Sequence, residues 1–542
     1  MARVASNRVE PQVAIQLETS PPETTMSRVV KQWQPHGLGW TETQCVACGG
    51  TSFLFRKFVA LRQALFHNHY LNYRLPLPCY DEWNRAFTIV DWLLCLLVVG
   101  ASAAFVVAIP TLSLDKETSG IVASVPVALA ITLATRNSIW TLLFGISFER
   151  ALKWHKLLAT VGVVLAWCHG FMPNGHTHVP PPEIADLPLL SFAFFEARKQ
   201  FLSGVALAGV MSAMIVEGNW LFRRYFYTIF YYGHHLLAIL ILPLALIHGT
   251  LFTIAAFFVY VFDLAFRFFF LALARNPKSC TAESLPGGVT RLTFDKASLR
   301  YSPGQFIHVM LPKVSVFECH PLSLSSSPHQ PTVSVFAKAT GDWTKRLNKL
   351  VAQRKKPLTL TAFLEGPYGA LELNLDSQEY KLFLFISGGI GITPMRSLYM
   401  HLLYLSTTGQ RELKKLWFVW SCPNVRMVEP LLQEPAFDGD ENNSLEGAQV
   451  GKLDVYLTRA KGMDDVAKAG IRRNLQTKLQ FGRPNFAQIF EQFSSHATTK
   501  GLGCVAVLGC GPPAVMNRVR VLCSEKSSSG VRFDFHGEHF EF

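Results

Sequence analysis

WHKLLATVGVVLAWCH (residues 154–169) and HHLLAILILPLALIH (residues 234–248) are two apolar runs, each with a histidine near both ends. His155 and His169 lie fourteen residues apart, and so do His234 and His248. On an α-helix that separation is about four turns and roughly 21 Å, and the two side chains end about 40° from a common line. Each run would carry its two histidines on one face, one toward each leaflet of a bilayer. A single histidine at such depth is well explained as a satisfied polar residue in a bundle, since ionisable groups there face a partner or a pathway. Four at matched spacing on two long apolar runs ask for more. Two such helices side by side would present two facing pairs, one above the other, as two bis-histidine haems in a membrane require. The doublet His234–His235 leaves a choice at one end. From His235 to His248 is thirteen residues, which on a straight helix turns the two about 140° apart. His234 keeps the pair on one face, with His235 in reserve because Pro243 could kink the helix.

The bulk numbers agree with a chain that is partly in lipid. At 542 residues there is room for two or three domains. Hydrophobic residues make up 49% and charged ones 16%, with a mean hydropathy of +0.22, as for a membrane part diluted by a soluble one. The net charge of +13 suggests nucleic acid at first sight, but the excess flanks apolar runs, and the positive-inside rule accounts for it. Eleven cysteines, odd in number and scattered, give no disulfide framework. Cys45 and Cys48 form a lone CxxC without the second pair a zinc site needs. The first residues lack the charged and apolar regions of a cleavable signal, so the first membrane segment is expected to do the targeting.

Residues 1–52 have the composition of disordered chain. Residues 53–86 mix aromatic and basic side chains and read as an amphipathic lead-in against the cytosolic surface. Six apolar runs follow within 87–275, at about 87–110, 120–135, 153–172, 201–216, 228–248 and 250–272. The second and fourth are short for a hydrocarbon core of ~30 Å. Basic residues of the lead-in, of 136–153, Arg223 and Arg224, and of 267–278 fall on one side. Asp115, Lys116, Glu117 and the nearly neutral 173–200 loop fall on the other. Both termini are therefore expected in the cytosol, with the histidine helices third and fifth and both running outward. His155 and His234 would form the inner pair, and His169 and His248 the outer.

Composition changes at Asn276 and Pro277. Short alternating runs with turn residues between them (VTRLTFD, GQFIHVMLP, TVSVFAKA, LTLTAFLEGPYG) predict an antiparallel barrel over 280–376. Over 378–542, apolar strand-like runs (KLFLFIS, KLWFVWS, KLDVYLT, CVAVLGC) alternate with helical stretches and predict a parallel α/β sheet. SGGIGITPM (387–395) leaves a strand and opens a helix, where glycines let the backbone approach a pyrophosphate and the helix start favours its charge.

From about residue 87 to the end the chain resembles the ferric reductase and NADPH oxidase superfamily. The resemblance rests on the spaced histidines, on HPLSLSSSP (320–328), GDWTKRL (341–347) and EGPYG (365–369), and on SGGIGITPM with GRPNF (482–486) and CGPP (510–513). It implies a six-helix membrane bundle with two b-type haems, followed by a cytosolic ferredoxin-reductase-like module made of an FAD barrel and an NAD(P)H-binding α/β domain. His155, His169, His234 and His248 would be the haem ligands, and the family's F-Y-x-x-H pattern falls on His234. Ser323, with His320 and Pro321, would meet the isoalloxazine, and Trp343, Thr344 and Lys345 the flavin phosphates. Gly388, Gly389, Gly391, Thr393 and Pro394 would lie at the nicotinamide cofactor's pyrophosphate, with Cys510, Gly511 and Pro512 near its ring and Arg483 close by. Arg426 is the candidate cation for a 2′-phosphate, although the family's arginine falls earlier in the chain. Phe542 stands where the family places a terminal aromatic over the flavin; a buried terminal strand would equally explain the FHGEHFEF ending.

The implied activity is electron transfer from NADPH through FAD and two haems to an acceptor across an integral membrane, taken to be the plasma membrane. Ferric chelate is the expected acceptor, with superoxide production from O2 as the alternative. For ferric reduction speak the fourteen-residue spacing on both helices and the lack of an arginine at Lys116 and Glu117, where the oxidases carry one. His176 and His178 in the outer loop could receive a chelate. For the oxidase speak the histidine doublet, GDWT and GRPN. No EF-hand loop is present, so calcium is not expected to act directly. A transporter or haem scaffold with a degenerate soluble part would not need its flavin and nicotinamide motifs intact.

Overall fold

In the computed structural model the chain is described at residues 89–108, 116–136, 140, 148–171, 192–269 and 277–538, the last without 317, 355, 370–372, 374–377, 434–449, 461 and 528–529. The expectations for 1–86, for His176 and His178 and for Phe542 lie outside the described residues.

Lipid offers the backbone no hydrogen-bond partner, so apolar runs of this length resolve into helices that satisfy themselves. Among the described residues six long ones are present: α1 Ile89–Ala108, α2 Lys116–Leu133, α3 Phe148–Phe171, α4 Phe192–Gly218, α5 Tyr227–His248 and α6 Leu251–Phe266. By length and composition the third to sixth can each cross a membrane, whereas α1 and α2 contain only shorter apolar stretches. The fourth corrects the sequence reading. Its apolar run is the middle of a 27-residue helix, because Glu196, Ala197, Arg198 and Lys199 ahead of it are good helix formers that hydropathy alone does not register. The fifth and sixth helices are joined almost without a loop, since Gly249 takes the left-handed conformation (φ 84°) and its N–H closes on Ala245 O.

The bundle packs in two apolar clusters. Cys95, Ala130, Leu133, Ala151, Leu157 and Leu158 join the first three helices. Val127, Val163, Leu207, Met211, Ile241 and Phe257 join the second to the sixth. Contact between α2 and α3 is close enough that a Cβ on Gly162 would stand 2.6 Å from Val127 Cγ2. Outward, Leu96, Leu236 and Phe262 are exposed, a surface that belongs in lipid rather than water.

The barrel holds six strands, β1 Lys278–Leu285, β2 Val289–Asp295, β3 Phe306–Met310, β4 His320–Ser323, β5 Thr332–Lys338 and β6 Leu358–Tyr368. Their order is β4-β3-β6-β1-β2-β5, every pairing antiparallel, and a bridge between Leu324 and Val335 links the two ends. Helix α7, Asp342–Ala352, lays Trp343, Leu347 and Val351 on the barrel core. The second sheet runs β10-β9-β8-β7-β11-β12 and is parallel throughout. Its strands are β7 Leu382–Gly388, β8 Lys415–Cys422, β9 Gly451–Leu457, β10 Leu479–Phe481, β11 Cys504–Cys510 and β12 Arg532–Glu538. Helix α8 (Ile392–Thr407) packs on one face, and α9 (Phe486–Thr499) and α10 (Pro513–Lys526) on the other. Both faces are covered, which is why the β7, β8 and β11 sequences read as unbroken apolar runs.

Candidate functional site

The four histidines come together as two pairs. His155 on α3 faces His234 on α5 with ring centroids 6.3 Å apart and planes at 71°. His169 faces His248 in the same way, at 6.2 Å and 77°. Three of the four rings are hydrogen-bonded through Nδ1. His155 bonds to Ala130 O at 2.8 Å, His169 to Ser119 Oγ at 3.0 Å and His248 to Gln200 O at 2.8 Å. His234 Nδ1 lies 3.2 Å from Glu217 Oε1. His235 is turned onto its own helix, with Nδ1 on Tyr231 O at 2.6 Å and its ring 4.7 Å from that of Tyr231. Among the described ring contacts it is His234 that meets His155.

The sequence reading missed the residues that make room for these rings. Gly120 on α2 and Gly204 on α4 lie against the His169–His248 pair, where a Cβ would stand 3.1 Å from His169 Cε1 and 2.7 Å from His248 Cε1. Each is preceded by a serine, Ser119 and Ser203, whose hydroxyls lie 3.0 and 3.4 Å from the same two rings. The repeated Ser-Gly dipeptide in two apolar helices was the available signal.

In the soluble half, β4 runs opposite β3 with Ser323 facing Phe306. Ser323 is buried, and the serines after it are used by the protein itself. Ser326 Oγ accepts from Ser334 N at 2.9 Å, and Arg396 and Ser397 of α8 donate to Ser325 O and Ser326 O at 2.9 and 2.7 Å. That run therefore ties barrel to sheet. His320 stacks on Trp343 at 4.4 Å, and Trp343 itself belongs to the barrel core. Burial lowers the His320 pKa, against the pull of Glu318 at 3.1 Å. Thr344 closes the start of α7, accepting from Gly341 N at 3.1 Å, while Lys345 is exposed.

The glycine-rich turn lies where β7 ends. Gly388, Gly389 and Gly391 are at the edge shared with β11, and Cys510 pairs with Ser387. A Cβ on Gly391 would stand 2.5 Å from Cys510 O, and one on Gly388 2.5 Å from Pro512 Cδ. Gly511 also approaches Gly388 closely, so the two segments interlock. Between β7 and β11 the strand order reverses, the place where open α/β sheets bind nucleotides. Thr393 and Pro394 are buried in the first turn of α8. Arg426 and Arg483 are exposed on the loops after β8 and β10, at the same edge but on separate loops.

A charged group that the sequence reading did not foresee joins the halves. Arg136, just past α2, donates to both oxygens of Glu365 on β6, at 2.9 and 3.0 Å. Its backbone N–H reaches Asp263 of α6 at 3.2 Å. Arg267 bonds to Asp263 at 3.0 Å and to Glu365 at 3.4 Å, and Tyr368 OH donates to Glu365 at 2.8 Å. Burial would raise the Glu365 pKa, but Arg136 and Arg267 hold it below the usual carboxylate value.

Three family models match the chain: a ferric reductase like transmembrane component at residues 119–245, an FAD-binding domain at 275–372 and a ferric reductase NAD binding domain at 380–524. Dual oxidase 2 of Homo sapiens is 27% identical over 438 residues, which is 73% of this chain and 28% of that protein. A superoxide-generating NADPH oxidase heavy chain of Dictyostelium discoideum is 26% identical over 402 residues, 66% of this chain and 55% of that protein. The chain thus spans little more than a quarter of the first relative and about half of the second. Among solved structures, a ferredoxin NADP+ reductase from Neisseria gonorrhoeae aligns at 13% identity and a TM-score of 0.32, over 48% of this chain and 98% of that one.

Proposed function

The chain belongs to the ferric reductase and NADPH oxidase superfamily, and from that premise we propose that it moves electrons from cytosolic NADPH across a membrane. The observation that carries this is the pair of facing histidine pairs in one bundle, at 6.3 and 6.2 Å between ring centroids. His155 with His234, and His169 with His248, would each hold a haem iron between their two rings. With Nδ1 hydrogen-bonded in three rings and turned to Glu217 in the fourth, Nε2 is the nitrogen a haem iron would take. When bound, FAD would take a hydride from the nicotinamide and release single electrons, which the two haems would carry outward.

The protein's own residues bind and orient. His155 and His234 hold the inner group and His169 and His248 the outer, kept in tautomer and angle by their Nδ1 partners. Ser323 and the backbone of β4 present hydrogen-bonding groups to the flavin ring, and the start of α7 favours its phosphates. The turn at 388–391 brings bare backbone to the dinucleotide, with Cys510 and Gly511 beside its nicotinamide end. Arg483 and Arg426 are the cations within reach of that edge for a 2′-phosphate.

Dioxygen is the acceptor we favour, because both relatives named above are oxidases by name. Ferric chelate, which the sequence alone favoured, keeps the support of the fourteen-residue spacing on both histidine helices and of Lys116 and Glu117 in place of an arginine. One experiment separates them. Protein in liposomes is reduced anaerobically with NADPH, then mixed with aerated buffer or with ferric citrate while haem reoxidation is followed. Fast reaction with oxygen that yields superoxide supports the oxidase; fast reaction with iron and slow reaction with oxygen overturns it in favour of the reductase.

A further inference from the structure

The flavin and nicotinamide sites proposed above lie on different sheets, Ser323 on the barrel and the turn at 388–391 on the parallel sheet. Hydride transfer needs the reacting atoms about 3–3.5 Å apart and aligned, so one sheet must be fixed against the other close to both sites. The contact of α8 with residues 325–329 is placed to do this. Arg396 donates to Ser325 O at 2.9 Å, with Ser325 Oγ at 3.4 Å from the same nitrogen. Ser397 donates to Ser326 O at 2.7 Å. Tyr404, seven residues on and so on the same helix face as Ser397, stacks on His329 at 4.2 Å with planes 8° apart. The barrel grips the same segment from its other side. Ser325 N donates to Ser334 O and Ser334 N to Ser326 Oγ, both at 2.9 Å.

Arg396 is 2% exposed, and its guanidinium carbon lies 5.7 Å from the centre of the Phe336 ring. Arginine is seldom buried so deeply, and taking a guanidinium out of water is costly. Apolar packing would hold two domains together without it; what a hydrogen bond adds is direction. The contact is also close to both sites along the chain. Ser325 is two residues after Ser323, and Arg396 is five after Gly391, little more than one helical turn. We propose that Arg396 is a positioning residue for hydride transfer, setting through the Ser325 carbonyl how the flavin-binding strand stands against the nicotinamide turn. This rests on the reading of the two sheets as flavin and nicotinamide sites. Arg396 neither gives nor takes a proton, and its effect is geometric. Ser397 and the stack of Tyr404 on His329 extend the same brace along α8.

The test compares the full-length protein with Arg396→Gln, Arg396→Lys and Ser397→Ala. FAD content and NADP+ affinity are measured first, from flavin absorbance. Flavin reduction is then followed anaerobically in stopped flow, with NADPH and with NADPH deuterated at the transferred position. FAD content and NADP+ affinity are expected to stay close to those of the parent. The limiting rate of flavin reduction should fall on the order of 10²-fold in Arg396→Gln and less in Arg396→Lys, with the isotope effect retained. An unchanged limiting rate in Arg396→Gln overturns the role. So does a loss in which FAD or NADP+ binding falls as far as the rate, because Arg396 would then be structural only. Should Arg396→Gln not fold, Arg396→Lys and Ser397→Ala carry the decision on the same two criteria. A parent protein whose bound flavin is not reduced by NADPH overturns instead the proposed function, and the role of Arg396 falls with it.

Discussion

A methyl group at Gly204 would stand 2.7 Å from His248 Cε1, and one at Gly120 3.1 Å from His169 Cε1. The first distance forces a shift and the second a small adjustment, so the two glycines should not tolerate alanine equally. Gly204→Ala is expected to lose most of the outer haem and Gly120→Ala less than half, read as the haem-to-protein ratio of purified protein; equal retention would show that the ring moves freely. A second residue-scale case is His308 on β3, which burial, helped by Arg136, pushes down to about 3. The unfolded imidazole takes its proton near 6.5, so between these values the unfolded chain binds more protons than the folded one. Stability is then lost as pH falls from about 6.5 toward 3. Glu365 adds to the acid loss only below the ordinary carboxylate range, since its folded pKa is depressed. His308→Phe should flatten the fall of apparent Tm between pH 6.5 and 4.5, and an unchanged slope there would exclude His308 as its cause.

At the scale of elements, periodicity served best where burial is one-sided or complete. The alternation in VTRLTFD and TVSVFAKA and the apolar runs of β7, β8 and β11 were legible because each strand's pattern reports the face it covers. KSCTAESL of β1 and LQF of β10 were not, because in β1 small residues, Cys280 and Ala282, hold the buried positions among polar ones, and the three residues of β10 are too few for a period. The histidine spacing was legible because fourteen residues nearly close four helical turns. Glu217 was not, because its partner lies on another helix and nothing within α4 announces it. The glycine-rich turn lies between: its motif was readable, but that Gly391 is needed for contact with Cys510 O is a fact of two strands meeting. Gly391→Ala is expected to lower NADPH-driven reduction of a soluble dye on the order of 10²-fold, the scale of an ångström-sized misplacement, while leaving dithionite reduction of the haems intact. A variant with normal dye reduction would remove this turn from the cofactor site.

For the molecule as a whole, the charged group of Arg136, Asp263, Arg267 and Glu365 is where the membrane helices grip the barrel. Its side chains are between 5% and 20% exposed, and breaking a desolvated pair of this kind costs about 3–5 kcal/mol. Glu365→Gln should slow haem reduction by NADPH at least tenfold in stopped flow while dye reduction, which needs only the soluble half, persists. The exchange Arg136→Glu with Glu365→Arg should recover part of the loss. Equal loss of both reactions would mean that the barrel itself had failed.

The two histidine pairs do not sit symmetrically in their helices. His155 and His234 are each the eighth residue of α3 and α5, whereas His169 is third from the end of its helix and His248 is the last residue of its own. On the function proposed above, the entrance is sunk about two turns below its rim and the exit is flush with it, like a socket wired to a bare terminal. An electron at a bare terminal goes to whatever is allowed to touch it. On that proposed function, selection among acceptors then turns on what reaches the ends of α3 and α5, and one core could serve oxygen or iron.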